Sequence, residues 1–501
     1  MKRISPVLIT ILIAVSFLTF CTPLQNEAVP PINFSPPAEY TTTIFDVDAP
    51  TNASNERLEN THPNIIFIMT DDQPYQTVEY MPTVKEELLA KGVSFQNGII
   101  TTPLCGPSRA SILTGQYAHN HEIYTNRMPM GGAVKFDDTS TVATWLQDAG
   151  YETGFFGKYI NSYDEVEPEG YVPPGWDEWH VFLQKNLTEE KAGLHFFFDY
   201  TLSENGEPVE YPKKQDSYGT DVITKKAVNF IGENSDEPFF MVVSYFAPHS
   251  PYIRAPRHED TFRPSTGWEW NSYLSPAFNE DNIRDKPDYL ETLYPYSGGE
   301  IEITVRQMLR SLLAVDDGVA SILNALEKTG LNENTIIVYI SDNSLTTGDH
   351  RFGFDKNCPY EACILTPFIV YAPDLYAPRL DTEHLVANID LAPTFAELAG
   401  LESPSTVDGL SLVPLLENTS ATWREEILIE HWPTEEGVGS IVPEFYAIRS
   451  TTWKYVEYIT GEKELYDLVN DPYELNNLAN KRNYRDIQTK LEEQLQILKQ
   501  Q

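Results

Sequence analysis

The chain has 501 residues and a formal net charge of −39 at pH 7, from 74 acidic and 35 basic residues. Its hydrophobic content of 41% excludes a disordered chain, and its length predicts a large domain with a smaller one. The acidic balance argues against a nucleic-acid partner, because binding phosphates needs a basic surface. An anionic substrate would need a local basic pocket to overcome the overall charge.

The N-terminal residues predict export. Lys2 and Arg3 precede an apolar run over 7–20, which is too short for a membrane span and is typical of a signal peptide. We therefore predict a signal peptide over 1–21 and a flexible linker over 22–60, with a periplasmic, cell-surface or secreted product. Cys21 has the position of a lipoprotein cysteine, but the preceding Phe20 is bulky where a small residue is usual. A membrane tether through Cys21 and cleavage to a soluble product therefore both remain open.

Beyond the linker, apolar runs alternate with helical patterns. Continuous apolar runs at 64–70, 239–244 and 335–340 predict buried parallel strands. Helical patterns lie between and around these runs, at 82–91, 107–114, 140–149, 219–233 and 304–329. The alternation predicts an α/β fold with a largely parallel sheet.

The C-terminal part has a different pattern. Residues 453–458 and 465–468 predict an antiparallel hairpin, and a last helix is predicted from Tyr484. We therefore predict a main domain over 61–415 and a small C-terminal subdomain over 416–501.

Polar residues follow the three predicted parallel strands. Asp71 and Asp72 follow the first, His249 follows the second, and Asp342 and Asn343 follow the third. Because the carboxyl ends of parallel strands meet at one edge of the sheet, these side chains should lie together. Oxygen ligands of this kind suit Ca²⁺ or Mg²⁺, although each pair alone also fits a helix cap or a turn.

Cys105 lies at the predicted start of a helix. Pro107 suits the first helical turn and Gly115 suits its end. Backbone N–H groups at such a position favour anions, and Arg109, one turn further on, can reach back along the same face. A plain thiol nucleophile paired with a histidine is one interpretation of this cysteine.

Two further cysteines, Cys358 and Cys363, are spaced C-x4-C. An exported protein permits a disulfide between them, and two buried thiols are the alternative. A zinc site would need more soft ligands than this pair supplies.

The sequence C-x-P-S-R-A-S-I-L-T-G over 105–115 resembles the signature of the type I sulfatases, whose cysteine is oxidised to formylglycine. The resemblance covers about residues 61–480, and further matches follow in the family's order: Thr70-Asp71-Asp72-Gln73, Gly157-Lys158-Tyr159, Pro248-His249-Ser250-Pro251, Ser341-Asp342-Asn343, Gly348-Asp349-His350-Arg351 and Lys356. Within the family the chain is most similar to the N-acetylglucosamine-6-sulfatase group, on residues 117–121, 157–161 and 387–390.

This resemblance implies an alkaline-phosphatase-like sulfatase fold: a large, mostly parallel or mixed sheet between helices, with a small C-terminal antiparallel sheet. It implies a Ca²⁺ or Mg²⁺ site, held by Asp71, Asp72, Asp342, Asn343 and residue 105. It also implies catalytic and substrate-binding roles: Arg109 steadies the modified Cys105, Lys158 and Lys356 bind sulfate, His249 protonates the leaving alcohol, and Asn161, His121 and His350 contact the sugar.

The implied mechanism uses formylglycine made from Cys105 by a formylglycine-generating enzyme. One hydroxyl of the aldehyde hydrate attacks sulfur and displaces the alcohol, and the second hydroxyl then loses its proton to release sulfate. The implied substrate is a 6-O-sulfate on glucosamine or N-acetylglucosamine in a sulfated glycan, with another sulfated polysaccharide or an aryl sulfate as alternatives. The chain departs from the family at Ile160, where many arylsulfatases have histidine, and at Ser344, where glycine is usual.

Two other functions compete with this interpretation. A phosphate or phosphonate monoester hydrolase of the same superfamily would share the carboxylates but usually carries Thr or Ser in place of Cys105. A non-catalytic, surface-anchored glycan-binding protein is favoured only by the linker and Ser344. The presence of both the cysteine and the metal carboxylates argues against it.

Overall fold

The computed structural model describes residues 41–46, 62–166, 168–184, 194–418, 420–433 and 441–501. The predicted signal peptide, Cys21 and most of the predicted linker lie outside these residues. Among the helices in the described ranges, none is long and apolar enough to cross a membrane.

A ten-stranded mixed sheet forms the centre of the fold, in the order β10-β2-β9-β8-β1-β7-β3-β4-β5-β6. Its strands are β1 (Asn64–Asp71), β2 (Val93–Ile99), β3 (Glu152–Gly157), β4 (Glu178–Leu183), β5 (Tyr200–Glu204), β6 (Glu207–Tyr211), β7 (Phe239–Pro248), β8 (Thr335–Ser341), β9 (Phe368–Tyr371) and β10 (Arg379–Ala387). The central strands β8-β1-β7-β3-β4 are parallel, and antiparallel pairs lie on both sides of them. The three apolar runs found in the sequence are the adjacent strands β1, β7 and β8, which confirms the predicted α/β class.

Helices pack on both faces of this sheet. The α-helices of the described residues are α1 (Cys105–Thr114), α2 (Ala118–His121), α3 (Val142–Asp148), α4 (Gly219–Glu233), α5 (Gly298–Thr329), α6 (Glu361–Ile364), α7 (Leu391–Leu398), α8 (Val413–Glu417) and α9 (Arg485–Leu498), and a π-helical segment lies at Val84–Leu89. On one face, Ile65, Phe67 and Met69 of β1 share a buried cluster with Leu113 of α1 and Phe395 of α7. On the other face, α4 and α5 pack against β7. Strands buried on both faces explain the continuous apolar runs.

A second, antiparallel sheet follows in the C-terminal part. It consists of β11 (Glu426–His431), β12 (Phe445–Ser450), β13 (Trp453–Tyr458) and β14 (Lys463–Asp467), in that order. The hairpin and the last helix predicted from the sequence are β13–β14 and α9. Ile99 and Leu385 of the large sheet share one apolar cluster with Phe445 of β12 and Leu495 of α9. The division of the chain at residues 415 and 416 stays a prediction.

The cysteines of the described residues divide into two kinds. Cys358 and Cys363 form a disulfide, with Cα atoms 5.6 Å apart, which decides between the two alternatives for this pair. Cys105 is free and buried.

Candidate active site

The carboxyl ends of β1 and β8 meet as the strand pattern predicted. Asp71 ends β1, Asp72 follows it, and Asp342 and Asn343 follow β8. The backbone N–H of Asp72 donates to Asp342 Oδ1 at 3.2 Å, and Asp342 N–H donates to Thr70 O at 3.0 Å. All four polar side chains are buried, so the two adjacent strands place their hard oxygen atoms in one water-poor site.

Cys105 opens α1 directly beside these carboxylates. Its Sγ lies 3.5 Å from Asp71 Oδ1 and 4.0 Å from Asp72 Oδ1. One potential ligand atom from each of Asp71, Asp72, Cys105 and Asp342 lies within 4.8 Å of the others. Asn343 donates from Nδ2 to Asp72 Oδ1 at 2.7 Å. The Asn343 Oδ1 atom is buried and has no hydrogen-bond partner among the described residues.

This donor set suits a hard divalent cation. Carboxylate and amide oxygens are the ligands that Ca²⁺ and Mg²⁺ prefer. A buried carbonyl oxygen without a partner is uncommon, because its desolvation is costly. Asn343 Oδ1 is such an oxygen, and it lies on a residue whose amide already contacts Asp72. The residues therefore fit the cation that the resemblance implied.

Arg109 connects α1 to the ends of three strands. Its Nε donates to Asp342 Oδ2 at 2.8 Å, and its Nη1 donates to Lys158 O at 2.5 Å and to Ser244 Oγ at 2.8 Å. The side chain is 2% exposed. Hydrogen bonds to charged groups are stronger than neutral ones, so this guanidinium fixes both the carboxylate and the backbone that follows β3.

Two lysines bring positive charge to the cluster. Lys158 Nζ lies 2.5 Å from Asp71 Oδ2, and Lys356 Nζ lies 2.6 Å from Asp72 Oδ1 and 2.8 Å from Cys105 Sγ. Burial alone would lower the pKa of Lys356, but the adjacent carboxylates outweigh it and raise that pKa well above its usual range. Both ammonium groups therefore stay charged at neutral pH beside residue 105.

The Cys105 thiol is a poor nucleophile in its unmodified form. Burial raises the pKa of this thiol to about 12, although the two lysines oppose the shift. The reactive species of a cysteine is its thiolate. The site therefore disfavours the interpretation of Cys105 as a plain thiol nucleophile.

His249 follows β7 and faces the cluster through one ring nitrogen. Its Nε2 lies 3.6 Å from Asp72 Oδ2, and its Nδ1 lies 2.7 Å from the backbone oxygen of Ser250. A carbonyl only accepts, so Nδ1 carries the hydrogen and Nε2 points to the cluster. Burial lowers the pKa of His249 below its ordinary value.

The predicted sugar-contact residues lie apart from this group. The described polar contacts do not connect Asn161, His121 or His350 to Cys105 or the carboxylates. His121 Nδ1 accepts from the Ile123 N–H and its Nε2 bonds Ser111 Oγ, both at 3.0 Å, and burial lowers its pKa to about 3. This ring thus anchors α2 to α1, and a sugar-contact role for His121 remains a prediction.

His350 and Asn161 also have surroundings of their own. His350 is 1% exposed, its Nδ1 lies 2.6 Å from Glu280 Oε2, and its ring packs 4.1 Å from that of Tyr360. Asn161 accepts a backbone bond from Ala133 N–H at 2.7 Å, and its Oδ1 is buried with no partner in the described part of the chain. Sugar contacts by both residues stay predictions.

Two residues have a positioning role that the sequence did not assign to them. Ser244 donates to Lys158 O at 2.6 Å while accepting from Arg109. Asn388 accepts from the N–H and the hydroxyl of Thr101, both at 3.0 Å, and donates to Ser108 Oγ at 3.1 Å. Asn388 thus fixes the chain on both sides of residue 105. It directly follows β10, so the strand-end rule would have identified it had β10 been predicted.

The departure at Ser344 leaves the cluster of Asp71, Asp72, Asp342 and Asn343 intact. Ser344 is buried, its N–H donates to Cys363 O at 3.2 Å, and its carbonyl accepts from Asn343 Nδ2 at 2.7 Å. The backbone at this position therefore contributes to holding the Asn343 side chain.

Comparison with known proteins agrees with the geometry. Residues 63–401 match the family described as Sulfatase, and residues 348–501 match N-sulphoglucosamine sulphohydrolase, C-terminal. An N-acetylglucosamine-6-O-sulfatase of Bacteroides thetaiotaomicron is 30% identical over 521 residues, covering 90% of this chain and 88% of that protein. An extracellular sulfatase Sulf-1 homologue of Caenorhabditis elegans is 33% identical over 389 residues, covering 73% of this chain, which spans about half (52%) of that relative's length.

A solved structure is similar over most of the chain. The structure of BT4656 in complex with its substrate D-glucosamine-2-N,6-O-disulfate has a TM-score of 0.71 and 28% sequence identity. The match covers 88% of this chain and 98% of that one.

Proposed function

Because this chain belongs to the sulfatase family, we propose that it hydrolyses sulfate esters at the Cys105 site. The proposed substrate carries a 6-O-sulfate on a glucosamine or N-acetylglucosamine unit of a sulfated glycan. The observation that carries this proposal is the placement of Cys105 at a helix start, within 4.0 Å of two carboxylates and 2.8 Å from Lys356.

The proposed reaction needs two further groups, a divalent cation and an aldehyde at residue 105. Asp71, Asp72, Asp342 and Asn343, with the residue 105 side chain, would hold Ca²⁺ or Mg²⁺. When bound, the cation would polarise the sulfate and neutralise developing charge. Oxidation of Cys105 to formylglycine, by a separate formylglycine-generating enzyme, would supply the geminal hydroxyls that a thiol lacks. Without this modification the residue would be a poor nucleophile, because burial raises the pKa of its thiol to about 12.

The charge balance of the site supports an anionic substrate. Three acidic and three basic side chains meet here: Asp71, Asp72, Asp342, Arg109, Lys158 and Lys356. These charges cancel, so a divalent cation would make the pocket net positive. In a protein of charge −39, that local potential is what a sulfate ester needs in order to bind.

Each side chain of the site has a role that follows from its geometry. Lys158 and Lys356 donate to sulfate oxygens, and because their charges are already in place little reorganisation is needed. Arg109 holds Asp342 and the backbone at Lys158, so its role is to position both. His249 donates its Nδ1–H to Ser250 O, which directs Nε2 toward the site. In the doubly protonated ring, the form that the Asp71 and Asp72 carboxylates favour, Nε2 also carries a hydrogen and can donate it to the leaving alcohol.

The finer parts of the proposal rest on similarity and on the sequence. The relatives named for N-acetylglucosamine-6-sulfate esters cover most of the chain, which supports the 6-O position and the glucosamine unit. Export through residues 1–21, with or without a tether at Cys21, suits a glycan too large to import.

The experiment is sulfate release from a panel of defined substrates by protein carrying formylglycine. We expect N-acetylglucosamine-6-sulfate to be hydrolysed faster than a 2-O-sulfated uronate, galactose sulfates and an aryl sulfate. A preference for a galactose or uronate sulfate of roughly a hundredfold, about 2.7 kcal/mol, would overturn the substrate assignment and leave the sulfatase assignment standing. Absence of sulfate release from every member would overturn both.

A further inference from the structure

An aromatic pair lies at the rim of the candidate active site. Tyr252 comes three residues after His249, and Phe354 comes two residues before Lys356. Their ring centroids are 5.6 Å apart with an interplanar angle of 51°. Both side chains are partly exposed. The pair therefore bridges the two loops that carry the proposed acid and one of the proposed sulfate-binding lysines.

Tyr252 also lies within electrostatic range of two charged residues of the cluster. Burial raises the pKa of the Tyr252 phenol, Asp72 raises it further, and Lys356 lowers it. Charges act on a neighbouring group over only a few ångströms in this way. The phenol thus lies near Asp72, the carboxylate that contacts Cys105.

The backbone at Tyr252 is held in an unusual conformation. Its φ is +59°, in the left-handed region that a bulky residue rarely adopts. The Tyr252 N–H donates to His249 O at 3.1 Å, which closes a turn between the two residues. Strain of this kind persists where surrounding structure enforces it, and it is concentrated at ligand clamps and active sites. Here the turn that holds this conformation joins Tyr252 directly to the proposed acid, His249.

The loop of Phe354 is supported from the other side. Gly353, which precedes Phe354, lies close to the Tyr296 ring: a Cβ placed there would be 2.6 Å from Tyr296 Oη. Tyr296 is itself 40% exposed. The rim beside Lys356 is thus an aromatic surface, while the base of the site is a cluster of charges.

We propose that Tyr252 and Phe354 form a stacking platform for the pyranose ring that carries the sulfate ester. This inference rests on the proposed function, because the sulfate of that ring would be held at the base of the site. A sugar ring presents C–H groups on its faces and hydroxyls at its edge, so an aromatic surface binds its faces well. Aromatic walls with a few convergent polar groups are typical of small-molecule sites. The platform would align the sulfated carbon between His249 and residue 105.

The test measures binding, so that it does not depend on turnover. In a Cys105→Ala background, calorimetry gives the Kd of N-acetylglucosamine-6-sulfate for the parent and for Tyr252→Leu and Phe354→Leu. Leucine keeps apolar volume and removes the flat ring. We expect each leucine variant to raise Kd by about tenfold, in line with the strength of aromatic contacts. The conservative variants Tyr252→Phe and Phe354→Tyr keep the ring, so their Kd should stay within about twofold of that of the parent.

A matched control comes from a remote aromatic pair. Trp453 and Tyr484 have ring centroids 6.0 Å apart at 57° and are also partly exposed. Tyr484→Leu should leave Kd unchanged. Equal Kd values for the parent, Tyr252→Leu and Phe354→Leu would overturn the platform. It would also be overturned if Tyr484→Leu raised Kd as much as the two rim variants do. Absence of binding to the parent would also overturn it.

The catalytic version of the test separates the two levels of inference. In protein with the native Cys105 converted to formylglycine, the leucine variants should raise KM by about tenfold and leave kcat within about twofold. If wild-type protein released no sulfate from any sugar but bound the sugar through this pair, the proposed function would fail and the platform would stand. If wild-type protein were active and the variants matched it in KM, only the platform would fail.

Discussion

Lys356→Met tests whether the charge beside residue 105 stabilises the transition state. Its ammonium lies 2.6 Å from Asp72 Oδ1 and 2.8 Å from Cys105 Sγ, with 15% of the side chain exposed. Methionine keeps the length and apolar volume and removes the charge. Removing one preorganised donor at a site of developing charge costs about 10²–10³ in rate, or about 2.7–4 kcal/mol. We expect kcat/KM for the sulfated sugar to fall by that factor.

The stability of the same variant should change much less. Asp72 loses one charged partner but keeps the bond from Asn343 Nδ2 at 2.7 Å. We therefore expect a loss of about 1–3 kcal/mol in the free energy of unfolding, the cost of one unmatched buried polar group. Urea denaturation at saturating cation measures this loss. Initial rates are compared at equal formylglycine content, because Lys356 contacts residue 105 itself.

Lys454→Met is the matched control. Lys454 is buried between Glu361 and Glu474, at 2.8 and 2.6 Å, in the C-terminal sheet. Breaking a buried ion pair leaves an uncompensated charge and costs about 3–5 kcal/mol. This variant should thus lose more stability than Lys356→Met and keep the kcat/KM of the folded protein. A kcat/KM within about threefold of wild type for Lys356→Met, or an equal loss for Lys454→Met, would refute the reasoning.

Three further predictions follow from the site and its surroundings. Asp342→Ala should abolish turnover. It should also lower the free energy of unfolding by about 3–5 kcal/mol, because Arg109 stays buried without its partner at 2.8 Å. Wild-type rates in this variant would contradict the assignment of Asp342 to the active site. Ca²⁺ or Mg²⁺ at about 100 times its Kd should stabilise chelator-treated protein by about 2.7 kcal/mol and raise Tm, an effect absent in Asp342→Ala, whereas a Tm that ignores both chelator and cation would exclude the metal site. Burial lowers the pKa of His121 from 6.5 to about 3, so its contribution to stability is complete above pH 6.5 and is lost as pH falls toward 3. His121→Gln should flatten that part of the pH dependence, and an NMR titration giving a pKa near 6.5 would contradict the burial argument.

The parts of the fold that the sequence predicted are those with strong local patterns. The runs at 64–70, 239–244 and 335–340 are central strands buried on both faces, and 219–233 coincides with α4. The helix α5 starts at Gly298, six residues before its predicted start. The sequence did not predict this first part because it begins with Gly-Gly-Glu and has only one early buried apolar residue, Ile301.

Weaker patterns hid other elements. β10 alternates exposed and buried residues over only part of its length, with irregular pairing to β2. It therefore lacks the continuous apolar run of a central strand. Because β10 was not predicted, the role of Asn388, which directly follows that strand and holds both sides of residue 105, was not predicted either.

The residues of the candidate active site also divide into those that a local sequence pattern predicted and those that it did not. Asp71, Asp72, Asp342 and Asn343 were predictable because strand ends in a parallel sheet converge by geometry. The partners of His350 were not, since Glu280 lies 70 residues away and no local pattern connects the two. Residue types and spacing thus identify the groups that a strand end presents. The contacts that orient a loop residue depend on tertiary packing alone.

The central claim is that residue 105 acts as an aldehyde-derived nucleophile in sulfate-ester hydrolysis. The test uses a series of protein preparations that differ in their exposure to a formylglycine-generating enzyme. For each preparation, mass spectrometry of the peptide containing residue 105 gives the aldehyde fraction, and this fraction is compared with the rate of hydrolysis of N-acetylglucosamine-6-sulfate. The account predicts that the rate rises in proportion to the aldehyde fraction at residue 105 and vanishes in Cys105→Ala. Full activity in protein whose residue 105 is entirely an unmodified thiol would contradict it.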